Sequence, residues 1–83
     1  MLFVLDKTES ITILNEPSLT FLKINEATSI GKPFRKLMKD PNLMKGIISK
    51  LKQQGFYYDF ELKLVRSDNS IIPVSCTATL LIV

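Results

Sequence analysis

Apolar residues recur along this chain in two rhythms, and the change of rhythm lays out its elements. The last third alternates. Phe56, Tyr58, Phe60, Leu62 and Leu64 share one face of a period-two reading, and Tyr57, Asp59, Glu61, Lys63 and Val65 share the other. After a polar break the alternation resumes, with Ile72, Val74, Cys76, Ala78, Leu80 and Ile82 set against Ser75, Thr77 and Thr79. Asp68-Asn69 in the break tolerates positive φ. The two runs therefore predict one long antiparallel hairpin whose apolar face the upstream chain must cover.

Upstream, residues 2–5 and 11–14 read as short strands around a polar turn at 7–10. Asn15 is a helix cap and Pro17 suits a first helical turn, which predicts a short helix over residues 16–23. Asn25 caps one further turn, and Gly31 with Pro33 ends it. Residues 34–38 predict another short turn with Phe34, Leu37 and Met38 facing inward. The longest helical stretch follows. Asp40 is its expected cap, Pro41 its first residue and Gly55 its stop. Leu43, Met44, Ile47, Ile48 and Leu51 form its apolar stripe, and Lys45, Ser49, Lys50, Lys52, Gln53 and Gln54 its solvated face. The order predicts an α+β fold, with short helices and one longer helix packed on one face of an antiparallel sheet.

At 83 residues the chain is a single domain over residues 1–83 with a small core, and 46 % hydrophobic against 23 % charged residues suits a globular class. The net charge of +3 is too mild to argue for nucleic acid. Lys36, Lys39, Lys45, Lys50 and Lys52 lack interleaved exposed aromatics and read as a solvated face. No apolar run is long enough to cross a membrane, and the apolar start meets Asp6 without a basic leader, so no signal peptide is expected. The single cysteine suits a reducing, cytoplasmic setting.

Catalytic chemistry is nearly excluded. The chain has no histidine, which removes the commonest general base and any Ser/His or Cys/His pair. Asp59 and Glu61 are neighbours on a strand face beside Lys63 and read as solvated charge. Gly31 stands alone, without a phosphate-binding loop. No catalytic residue, metal site or enzyme activity is expected.

Taken in order, these features resemble a PAS domain over nearly the whole chain. The strand 11–14 ends in Asn15, Ile30-Gly31-Lys32 follows the short helices, the longer helix ends in Gly55, and Phe60-Glu61-Leu62 leads through Asp68-Asn69 into the last strand. Asn69 stands where the family usually has glycine, a substitution the left-handed region accepts. The resemblance implies a pocket between the sheet and its covering helices. Its expected walls are Phe21, Leu22, Phe34, Leu37, Met44, Ile47, Ile48, Phe60, Leu62, Cys76 and Ala78, with Tyr58 as the polar handle. The same residues also serve as a plain core. Cys76 is expected to be packing on an apolar strand face. Without histidine no haem is expected, and without an Asn-Cys-Arg-like motif no flavin; an unknown small ligand stays open.

The family's final strand, which lies mid-sheet between the first strand and the last hairpin, has no counterpart before Val83. The expectation is a piece of a longer signalling protein, with two inner strand edges unpartnered and a homodimer formed through a sheet edge or face. The resemblance implies a sensory module of a histidine kinase in a two-component system, a cyclic-dinucleotide enzyme or a transcription regulator, coupled to an output domain. A ligand-free dimerisation or protein-interaction module is the alternative, and nucleic-acid binding is the weakest reading.

Overall fold

Two antiparallel hairpins frame the fold, one at each end of the chain. The computed structural model describes residues 1–80. Strands β1 (Phe3–Leu5) and β2 (Ile11–Leu14) form the first hairpin. Helices α1 (Glu16–Leu22) and α2 (Glu26–Ser29), a 3-10 turn (Phe34–Leu37) and helix α3 (Leu43–Gln54) follow, and β3 (Phe56–Val65) with β4 (Ile71–Thr79) closes the chain. This is the α+β order that the sequence predicts. Leu80 extends the last ladder through its N–H to the Gly55 carbonyl. Ile82 lies outside the described residues.

The polar residues between the strands shape the first turn. The Asp6 carboxylate accepts hydrogen bonds from the Thr8 hydroxyl at 2.7 Å and from the N–H groups of Thr8 and Ser10 at 2.8 and 3.0 Å. Glu9 takes the left-handed conformation, with φ 66°. At the other end of the hairpin Asn15 caps α1, accepting from the Ser18 N–H and from the Ser18 hydroxyl at 2.6 Å. Asn15 also accepts from the Leu2 N–H at 3.0 Å, so one amide side chain joins the helix start to β1. Ser18 is fully buried and its oxygen accepts a second bond from Leu2.

The connecting segments close the two lateral edges of the framework. Residues 31–34 pair with β2 through Ile11 N–H to Lys32 O, Gly31 N–H to Ile11 O and Phe34 N–H to Glu9 O. Met38 bridges Leu64 on β3, and the Lys39 N–H donates to the Lys63 carbonyl. Edges that would otherwise stand open are thus partly satisfied by loop backbone. Among the described residues β1 pairs only with β2, and β4 only with β3.

Helix α3 starts later than Asp40-Pro41 predicts. Those residues form a tighter turn in which Leu43 and Met44 donate to the Asp40 and Pro41 carbonyls, and the regular helix begins after Asn42. Gly55 ends it in the left-handed conformation at φ 81°, as its position demands. Met44 and Ile47 are buried, Ile48 and Leu51 half-buried, and Leu43, placed in the stripe by spacing, is exposed.

The largest departure from strict alternation is in β3. The register runs Phe56 to Thr79 and Tyr57 to Ala78, then resumes at Phe60 to Cys76, so β3 carries one extra residue. Asp59 sits in this bulge with φ 54°. A bulge reverses the phase of the strand on one side of it. Tyr57 therefore joins Phe60, Leu62 and Leu64 on the inner side, while Phe56 and Tyr58 turn outward. Beyond it the inner face of β4 is as predicted, with Ile72, Val74, Cys76 and Ala78 half-buried; Leu80 is exposed.

The last turn locks onto α1. The N–H of Asn69 donates to Arg66 O, and Asn69 takes φ 70°, the left-handed step of a three-residue hairpin loop. Ser67 donates through its N–H to Leu22 O and through its hydroxyl to Lys23 O, which satisfies carbonyls at the helix end. Leu22, Met38, Met44, Ile47, Leu62 and Leu64 form the buried core, and Phe3, Leu5, Ile72 and Val74 pack against it half-buried.

Candidate functional site

Helix α3, the 3-10 turn, α1 and the inner face of β3 converge on one cluster between sheet and helices. It brings together nine of the expected pocket residues: Leu22, Phe34, Leu37, Met44, Ile47, Ile48, Phe60, Leu62 and Cys76. Leu22, Met44 and Leu62 are each at most 5 % exposed, so the centre is closed to solvent. Phe34 meets Phe3 edge-on at 5.0 Å and so ties the 3-10 turn to β1.

Three expected wall residues stand elsewhere. Phe21 is exposed on α1, with the Arg66 guanidinium 4.9 Å above its ring. Helix α1 has only seven residues and turns Leu22 and Ser18 inward, which directs Phe21 away. Tyr58, expected as the polar handle, is 56 % exposed and stacks on Phe56 at 4.7 Å. The Asp59 bulge is the reason, and Tyr57 takes the inner place, stacked on Phe60 at 4.3 Å. Ala78 is half-buried at the end of β4, outside the packed cluster.

Cys76 is half-buried on β4, and burial raises its thiol pKa. A protonated thiol is a poor nucleophile, which fits packing rather than redox chemistry. At the far turn, Lys23 Nζ bonds the Asp68 carboxylate at 2.7 Å and the Ser70 hydroxyl bonds it at 2.6 Å. Lys23 first, and then Ser70, hold the Asp68 carboxyl well below the usual carboxylate range. Asp6 is lowered too, chiefly by the Thr8 hydroxyl. Both carboxylates organise turns. Among the described residues no group of three His, Cys, Asp or Glu side chains is placed to hold a metal ion, and no helix is long and apolar enough to cross a membrane.

Two surface grooves flank the 3-10 turn. The smaller, about 280 Å³, lies between Ile11, Ser29 and Lys36. The larger, about 710 Å³, separates Glu9 and Arg35 from one face of α3. The sequence pattern gives Glu9 and Arg35 no site role, and it places Lys45, Ser49 and Lys52 together on the solvated face of α3. The spacing of Lys45, Ser49 and Lys52 was a legible signal for a single row; their closeness to Glu9 and Arg35 was not.

No protein-family model matches the chain, and no curated protein matches it. Among solved structures it is similar to the PAS domain of a protein from Colwellia psychrerythraea, at a TM-score of 0.77 and 23 % identity over 88 % of this chain. The chain covers 64 % of that one, less than two thirds of its length. At this identity the likeness establishes the fold.

Proposed function

We propose that this chain, which has the fold of a PAS domain, is a non-catalytic sensory and regulatory module of a signal-transduction protein. The observation that carries the reading is the PAS fold, with a half-buried apolar face beside the β1 and β4 edges, which have no partner among the described residues. Phe3, Leu5, Ile72, Val74 and Cys76 line the same core from both strands and stay only half-buried. A strand or a second chain arriving at these edges would complete both ladders and cover that apolar surface. Occupancy of the edges would thus give the domain two states, which a small ligand or a partner could bias. We place the module in the cytoplasm, as a homodimer joined through a sheet edge or face. The parent would be a histidine kinase, a cyclic-dinucleotide enzyme or a transcription regulator, whose output domain reads the change. Haem and flavin have no part in this proposal, because the chain lacks histidine and its single cysteine is packed on a strand.

The solvent-closed centre around Leu22, Leu62 and Leu64 favours a second reading, a ligand-free interaction module. Native mass spectrometry of protein purified from cells separates the two. A dimer with a retained small molecule supports the sensor, and a ligand-free dimer supports the interaction module. A ligand-free monomer at every concentration removes the edge-pairing basis of both.

A further inference from the structure

Glu9 and Arg35 are 26 residues apart in sequence, yet their side chains meet in a 2.6 Å ion pair on one wall of the larger groove. Opposite stands α3. Lys45, Ser49 and Lys52 have the i, i+4, i+7 spacing of a single helical row. Pro41, Met44 and Ile48 add an apolar strip beside that row. Three cations, Arg35, Lys45 and Lys52, thus border the groove against one carboxylate, a balance of +2 (3 − 1). The bond to Glu9 engages one Arg35 nitrogen, and a guanidinium carries five N–H donors.

We propose that this groove binds a small organic anion with an apolar body. Its carboxylate meets Lys45, Lys52 and the free side of Arg35, with the Ser49 hydroxyl as a further donor, and its hydrocarbon lies on Pro41 and the half-buried Ile48. The inference rests on the sensing reading above and gives its ligand a chemical class. A volume of about 710 Å³ suits a small molecule. The lining holds no aromatic ring on which a nucleic-acid base could stack. Ile48 also packs against the cluster that includes Met44 and Leu62, so an occupant touches a side chain that bears on the core.

The test uses octanoate as the probe, titrated into the 15N-labelled chain at low salt. Octyltrimethylammonium is the control of similar length and opposite charge. Octanoate should give saturable amide shifts centred on Glu9, Arg35 and residues 41–52, and the cation should not. Lys45→Gln with Lys52→Gln should weaken octanoate about tenfold, as expected for two partly exposed charge contacts. The remaining spectrum reports whether that variant is folded, and Ser49→Glu, which puts a carboxylate into the row, should independently abolish binding. Equal shifts with the cation, shifts centred elsewhere, unchanged affinity in both folded variants, or no saturation up to about 10 mM would each overturn the assignment. If octanoate fails while native mass spectrometry finds another retained molecule, the sensing reading stands and this assignment falls. Octanoate bound in the groove of a chain that never associates leaves the assignment standing and removes the signalling reading.

Discussion

Asn15 does more for this fold than its place in a turn suggests, because its side-chain oxygen serves both the α1 cap and the Leu2 N–H. Asn15→Ala should cost about 1–2 kcal/mol in urea unfolding, at the upper end for a cap because β1 is released together with the helix start. An unchanged midpoint would show that water replaces both bonds. The Asp68 carboxyl titrates below its unfolded value because Lys23 and Ser70 bond its ionised form. The stability it contributes is therefore present above about pH 4, and it is lost as pH falls below that and the carboxyl protonates. Asp68→Asn should lower stability at neutral pH and flatten the acid side of the profile, with the lowered Asp6 still contributing to it. Cys76 should react slowly with a thiol reagent at neutral pH in the folded chain and promptly in urea, since burial raises its pKa.

At the scale of elements, β3 carries the sharpest contrast between neighbours. Phe56, Tyr57, Tyr58 and Phe60 supply apolar rings in both phases of the strand, so alternation alone cannot choose which side faces the core. Asp59 decides it, because aspartate is poor in a strand and enters the left-handed region more readily than most residues. Tyr57→Ala should cost about 2 kcal/mol or more, since it empties a half-buried place against Phe60, while Tyr58→Ala should cost below about 1 kcal/mol, the value of a surface stack. The reverse order in thermal unfolding would mean that the bulge is absent in solution. Asp59→Val should be destabilising by about 1–2 kcal/mol, the cost of a β-branched residue at positive φ, and Asp59→Gly should be tolerated.

For the whole molecule, the β1 and β4 edges, which have no partner among the described residues, are where association can be tested. The lateral edges receive loop hydrogen bonds at residues 31–34 and 38–39, whereas the inner ones receive none among the described residues. Amides on those inner edges should exchange with deuterium far faster than those in the β3 and β4 ladder. Their protection should rise with protein concentration if a second copy adds to them. Protection that is high and independent of concentration would mean that the edges are closed within one chain.

Helix caps, turn residues and apolar rhythm are local properties, so Asn15, Gly55, Asn69 and the Met44 to Leu51 stripe were legible along the chain and determined the order of elements. The resemblance built on that order led to the fold, and it named half of the central cluster because those residues repeat at strand and helix periods. Tertiary structure decided what periodicity leaves degenerate: which phase of β3 faces inward, that Phe21 points out, and that Glu9 reaches Arg35. Each of these depends on a contact between segments distant in sequence or on a single bulged residue. A period-two or period-3.6 reading assigns faces within one element and carries no information about what stands opposite.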